Sequence, residues 1–121
     1  MKATIYHNPR CSKSRETYKI LEDAGLEIEE IRYLDNPPTP EELDQLCEAM
    51  DVQPLAIIRT KEALFKELGL DVNDQRSRAA WLKILSENPR LIERPIVKIG
   101  DKVAMGRPPE NIKAILPNAE Q

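Results

Sequence analysis

The sequence contains no apolar run approaching the ~20 residues that a membrane-spanning helix needs, so no membrane partner is expected. Aromatic residues are scarce, at 4%. The core must therefore be aliphatic, and few rings are left to stack on single-stranded nucleic acid. Neither sign of charge dominates: 18 basic residues face 21 acidic ones, for a net charge of −3. That balance excludes a strongly basic nucleic-acid binder, and no nucleic-acid partner is expected. Histidine occurs once and cysteine twice. These cannot complete a four-ligand zinc site without borrowing carboxylates, and none has zinc-finger spacing, so no metal is expected. There is no Cys-x-x-Cys pair, and a disulfide framework is not expected in a chain of this composition. The opening residues, Met1 to His7, break at once into polar and turn residues. No secretory signal is expected there, and the chain reads as cytoplasmic. Repeats, low-complexity tracts and linkers are also missing.

What remains is a chain of 121 residues, 40% hydrophobic and 32% charged. That is the size and composition of a single soluble domain over residues 1–121. Ala3 to Tyr6 is strand-like, with β-branched and aromatic side chains. Asn8-Pro9 breaks it. From Ser12 to Ala24, Ser14, Thr17, Tyr18, Leu21 and Ala24 recur at helical steps, and Gly25 is a helix stop. Residues 27–34 alternate as a second strand. A crossover of that length makes the two strands parallel.

Thr39-Pro40-Glu41-Glu42 predicts a capping box at the start of a helix reaching about Met50. Short helical pieces are expected near 54–58 and 61–68, and a longer helix near 74–86. Ile96 to Ile99, Gly100-Asp101 and Lys102 to Met105 form a hairpin pattern. A last helix is expected from Pro109 or Glu110 to Leu116. The order predicts an α/β fold: a four-stranded mixed sheet with flanking helices. A helical insertion, roughly 39–88, precedes the C-terminal β-hairpin.

Cys11 falls between the first strand and the first helix. Free N–H groups of a helix start and the helix dipole favour negative charge there. Arg10, Lys13 and Arg15 add cations within a few residues. Together these predict a thiol that ionises below its ordinary value, which is the mark of a reactive cysteine. Cys47 instead lies on an apolar helix face with Leu43, Leu46 and Met50, as a small core residue. His7, at the end of the first strand, can tune the thiol or touch an anion. Arg59, Arg94 and Arg107 stand at element ends, where loop side chains converge. Guanidinium groups suit tetrahedral oxyanions by paired hydrogen bonds. Arg94-Pro95 is a candidate cis bond.

His7-Asn8-Pro9-Arg10-Cys11-Ser12-Lys13-Ser14-Arg15 resembles the HNPxCxxSR signature of the glutaredoxin-coupled arsenate reductase family. Tyr33-Leu34-Asp35-Asn36-Pro37-Pro38, Arg94-Pro95-Ile96-Val97 and Gly106-Arg107-Pro108-Pro109-Glu110 resemble its later blocks, in order and at family spacing. The resemblance spans nearly the whole chain and is to the short branch of the family. It implies a thioredoxin-like fold, Cys11 as nucleophile, and Arg59, Arg94 and Arg107 holding the oxyanion. His7 matches the family histidine beside the cysteine. The implied substrate is arsenate, with glutathione as co-substrate, glutaredoxin as partner and no tightly bound cofactor.

Three rival chemistries are weaker. A phosphatase-type Cys-x5-Arg loop would need arginine where Thr17 stands. A redox-sensing regulator of the same fold would carry a second cysteine where Ser14 stands. A thiol oxidoreductase acting on disulfides would be left with a monothiol route.

Overall fold

The computed structural model describes residues 1–117, so positions 118–121 of the expected domain lie outside the described residues. The chain divides into two compact units. One comprises residues 1–36 and the segment from Arg94 onward; the other is Pro37–Glu93.

The first unit holds the sheet. Strand β1 (Lys2–Tyr6) leads through the Cys11 turn into helix α1 (Ser12–Asp23), which returns to β2 (Glu27–Ile31). Strands β3 (Ile96–Ile99) and β4 (Lys102–Met105) follow as the hairpin. The strand order is β2-β1-β3-β4. β1 pairs with β2 in parallel and with β3 antiparallel, and β3 pairs antiparallel with β4, so the sheet is mixed. Gly100 opens the hairpin turn with a φ of 64°, a conformation that costs other residues a Cβ clash. The core is aliphatic. Ala3, Ile5, Val97 and Ile99 from the sheet meet Leu21 of α1 and Ile112.

The second strand is shorter than its alternation suggests and ends at Ile31 rather than Leu34. Asp35 and Asn36 turn back to donate their N–H groups to the Arg32 carbonyl, which buries Tyr33 in a turn. The expected last helix is instead a 3-10 segment, Pro109–Ile115. Its apolar residues explain the difference. Pro109, Ile112 and Ile115 recur every third position, the period at which 3-10 side chains line up; the first two are buried and Ile115 packs on the core cluster.

The second unit is helical. Helix α2 (Pro40–Met50) opens with the predicted capping box. Thr39 Oγ1 accepts from the Glu42 N–H at 3.1 Å, and the Glu42 carboxylate accepts from the Thr39 N–H at 3.4 Å. A 3-10 turn (Pro54–Ile57) and helix α3 (Ala63–Glu67) follow. Helix α4 (Arg78–Glu87) begins four residues later than expected from Asp74. Asp71 and Asp74 engage the local backbone instead, with their carboxylates accepting from the Asn73 and Asp71 N–H groups at 2.7 and 3.0 Å. Such side chains compete with helix formation. Ser77 then caps the helix by accepting from the Ala80 N–H.

Candidate active site

The site starts from the turn between β1 and α1. The Cys11 N–H donates to the Asn8 carbonyl at 2.9 Å, and the Arg10 N–H to the Asn8 side-chain oxygen at 3.0 Å. Cys11 is the N-cap of α1, with extended dihedrals and no side-chain cap bond. Its sulfur therefore faces the donors that every helix start leaves without an intrahelical partner. Burial alone would push the Cys11 thiol up. The Ser14 N–H, the charge of Arg94, the Lys13 N–H and a hydrogen bond from Arg94 act against it, and the thiol ends below its ordinary value.

The direction matches the sequence reading, but the source of the charge does not. The guanidinium at the sulfur is that of Arg94, brought from just before β3. Arg15 turns back to donate to the Pro9 carbonyl at 2.9 Å, and the Lys13 ammonium lies 4.0 Å from Glu16.

Arg107 stands beside Arg94. Its Nη1 donates to the Arg94 carbonyl at 3.3 Å, and the Gly106 N–H donates to the Pro95 carbonyl at 2.9 Å. The Arg94-Pro95 bond is cis as expected, and Arg107-Pro108 is cis as well. These two turns pack closely on α1. A Cβ at Gly106 would lie 2.5 Å from Thr17 Oγ1 and 2.8 Å from Pro95 Cγ. Gly106→Ala should therefore cost about 1–3 kcal/mol, the usual cost of overpacking. Urea denaturation measures it, and an unchanged midpoint would show that the contact yields freely.

His7 is buried behind the turn. Its Nδ1 lies 2.6 Å from Ser14 Oγ, and the same oxygen accepts from the Asn8 N–H at 3.1 Å. Burial is the main influence on the ring and lowers its pKa, outweighing the opposing pull of Glu30. The structure thus brings His7, Cys11, Arg94 and Arg107 into one unit. Ser14 joins them by both backbone and side chain, a role the sequence reading did not assign. Its position three residues after Cys11, on the buried face of α1, was the available signal.

The family model for the ArsC family matches residues 6–115. The chain belongs to the ArsC family. Among its relatives, the arsenate reductase of Neisseria meningitidis serogroup B is 44% identical over 113 residues, covering 93% of this chain and 96% of that one. The arsenate reductase of Haemophilus influenzae is 44% identical over 117 residues, or 96% of this chain and all of its own. A solved structure of arsenate reductase from Vibrio cholerae superposes with a TM-score of 0.91 at 44% identity, covering 96% and 98% of the two chains. The fold is thioredoxin-like, as the resemblance implied.

Two residues of this ArsC-family chain lie apart from the thiol turn in sequence and in unit. Arg59 belongs to Pro37–Glu93. It pairs with Glu62 at 3.0 Å and donates to the Arg90 carbonyl at 3.3 Å, both within that unit. Cys47 is fully buried on α2, and burial is the first cause that raises its thiol pKa. Among the described residues, no helix is long and apolar enough to cross a membrane.

Proposed function

We propose that the protein is an arsenate reductase that uses glutathione and glutaredoxin as its source of electrons, working in the cytoplasm, where thiols are kept reduced. The observation that carries this reading is Cys11 as the N-cap of α1, where the Ser14 N–H and the Arg94 guanidinium favour its thiolate. The names of the relatives support arsenate as the substrate.

In this reading the Cys11 thiolate attacks arsenic and displaces one oxygen, which leaves as water after taking up protons. Arg94 and Arg107, with the free N–H groups of α1, offset the oxyanion charge without rearranging. Arg59 is assigned to the same anion on the strength of the family resemblance. His7 acts beside the cysteine through its bond to Ser14. Glutathione adds its sulfur to the arsenic and displaces a second oxygen as water. Glutaredoxin then attacks the glutathione sulfur, forming a mixed disulfide and leaving two electrons on arsenic. Water releases arsenite and restores the Cys11 thiol.

The test is arsenate-dependent NADPH oxidation in the presence of glutathione, glutaredoxin and glutathione reductase. Turnover should require arsenate, glutathione and glutaredoxin together. Turnover of a disulfide substrate with none from arsenate would favour the monothiol oxidoreductase instead.

The same reading assigns Cys47 no part in electron transfer. It is buried, and its thiol is less ionised than an ordinary one. Cys47→Ala should keep full turnover and lose about 1 kcal/mol of stability. Mass spectrometry after one turnover should find Cys11 modified and Cys47 free. A Cys11–Cys47 disulfide would overturn the external-thiol route.

A further inference from the structure

Glu30 has no part in the scheme above, yet it faces the buried histidine. Its Oε1 lies 3.5 Å from His7 Nε2 and 3.6 Å from Arg32 Nε. The β1–β2 pairing explains the approach: Ile5 is opposite Glu30, and the His7 N–H donates to the Ile31 carbonyl at 2.8 Å. From α1, Tyr18 lies against the ring, with centroids 5.3 Å apart, and Arg15 adds a further positive charge. Arg32, just beyond β2, does the same.

Burial favours the neutral ring, which carries a single proton on one of two nitrogens. The two placements differ sharply here. With the proton on Nε2, the Glu30 carboxylate 3.5 Å away attracts it. Nδ1 is then bare and accepts the Ser14 hydroxyl proton at 2.6 Å, while the Ser14 oxygen still accepts from the Asn8 N–H at 3.1 Å. Each group then faces a neighbour of complementary charge or hydrogen-bonding kind. With the proton on Nδ1, a bare nitrogen lone pair faces the carboxylate. The Ser14 hydroxyl must also turn its own proton elsewhere. In a partly buried site that mismatch is amplified by the low dielectric.

We propose that Glu30 is a positioning residue: it selects the Nε2-protonated form of His7 and, through the Ser14 hydroxyl, fixes the first turn of α1 beneath the Cys11 sulfur. Ser14 is the link. Its side chain is held by His7 and Asn8, while its backbone N–H is the first-turn donor that most favours the Cys11 thiolate. The inference deepens the reading of Cys11 as the reactive thiol, but its test needs no arsenate, so the two can fail separately.

The chain has one histidine, so a long-range nitrogen–proton spectrum of the imidazole gives one unambiguous pattern. In the wild type Nδ1 should resonate as a bare nitrogen and Nε2 as a protonated one. Glu30→Gln presents an amide that can donate or accept, so both forms should be populated. Glu30→Leu, which removes the partner, should do the same. In either variant, alkylation of Cys11 below its midpoint should slow about threefold, the effect of a half-unit rise in that midpoint. A wild-type ring protonated on Nδ1 would overturn the proposal. So would variants whose ring pattern matches the wild type, or a changed ring pattern with an unchanged Cys11 alkylation profile.

Discussion

Cys11→Ser should reduce arsenate turnover to background while leaving the fold intact. The substitution exchanges sulfur for oxygen at the N-cap, a position where serine is well tolerated. A serine hydroxyl, un-ionised at neutral pH, is a far weaker nucleophile than a thiolate. The loss should be on the order of 10⁴-fold or more in kcat, as for other nucleophile deletions. The coupled NADPH assay measures it, and a variant retaining even a hundredth of wild-type turnover would sink the nucleophile assignment. The same substitution has a stability signature. The folded thiol ionises below its ordinary value of 9.0. In the interval between the folded and unfolded values, the unfolded chain binds more protons, so stability rises with pH. The contribution of Cys11 is complete above the unfolded value and is lost as pH falls through the folded one. Denaturation of reduced protein across this interval should show that rise in the wild type, and Cys11→Ser should flatten it.

Much of this chemistry was legible in the chain because it is local. A strand, a proline-containing turn and a helix within the first 23 residues place Cys11 at the helix start without any knowledge of the rest of the fold. The capping box at Thr39 and the hairpin at Gly100-Asp101 are likewise decided by neighbours in sequence. Where local rules competed, the sequence misled. Asp71 and Asp74 bond the backbone ahead of α4 and delay its start, and the three-residue spacing of Pro109, Ile112 and Ile115 suits a 3-10 segment better than an α-helix.

The charge environment was less legible, because it depends on strand pairing. Counting cations near Cys11 in sequence points to Arg10, Lys13 and Arg15. The guanidinium at the sulfur comes from Arg94, which arrives because β3 pairs with β1. Glu30 reaches His7 by the same kind of route, through the parallel register of β1 and β2. The three loop arginines looked alike in the chain. The structure ties two of them directly, through the bond from Arg107 to the Arg94 carbonyl, while Arg59 is paired with Glu62 in the other unit.

Arg94→Ala tests that environment most severely, because one guanidinium serves two ends. It favours the Cys11 thiolate by charge and by a hydrogen bond, its carbonyl accepts from Arg107, and the proposed function gives both guanidinium groups to the oxyanion. Removing it should raise the midpoint of Cys11 alkylation toward the ordinary thiol value. It should also lower kcat/KM for arsenate by about 10²–10³-fold, the typical cost of deleting one donor to a developing oxyanion. The fold should survive, since the Arg107 bond is to the Arg94 backbone carbonyl, which alanine retains. Wild-type protein should melt at a higher temperature with arsenate or sulfate, because a ligand of the folded state stabilises it by mass action. In Arg94→Ala most of that rise should disappear. Arg94→Lys separates charge from geometry. An ammonium restores the attraction for the thiolate but not the paired donors of a planar guanidinium. The alkylation midpoint should therefore return nearly to the wild-type value while kcat/KM recovers only in part. Full recovery of both would reduce Arg94 to a point charge, and an alanine variant with wild-type kcat/KM would remove it from the oxyanion site.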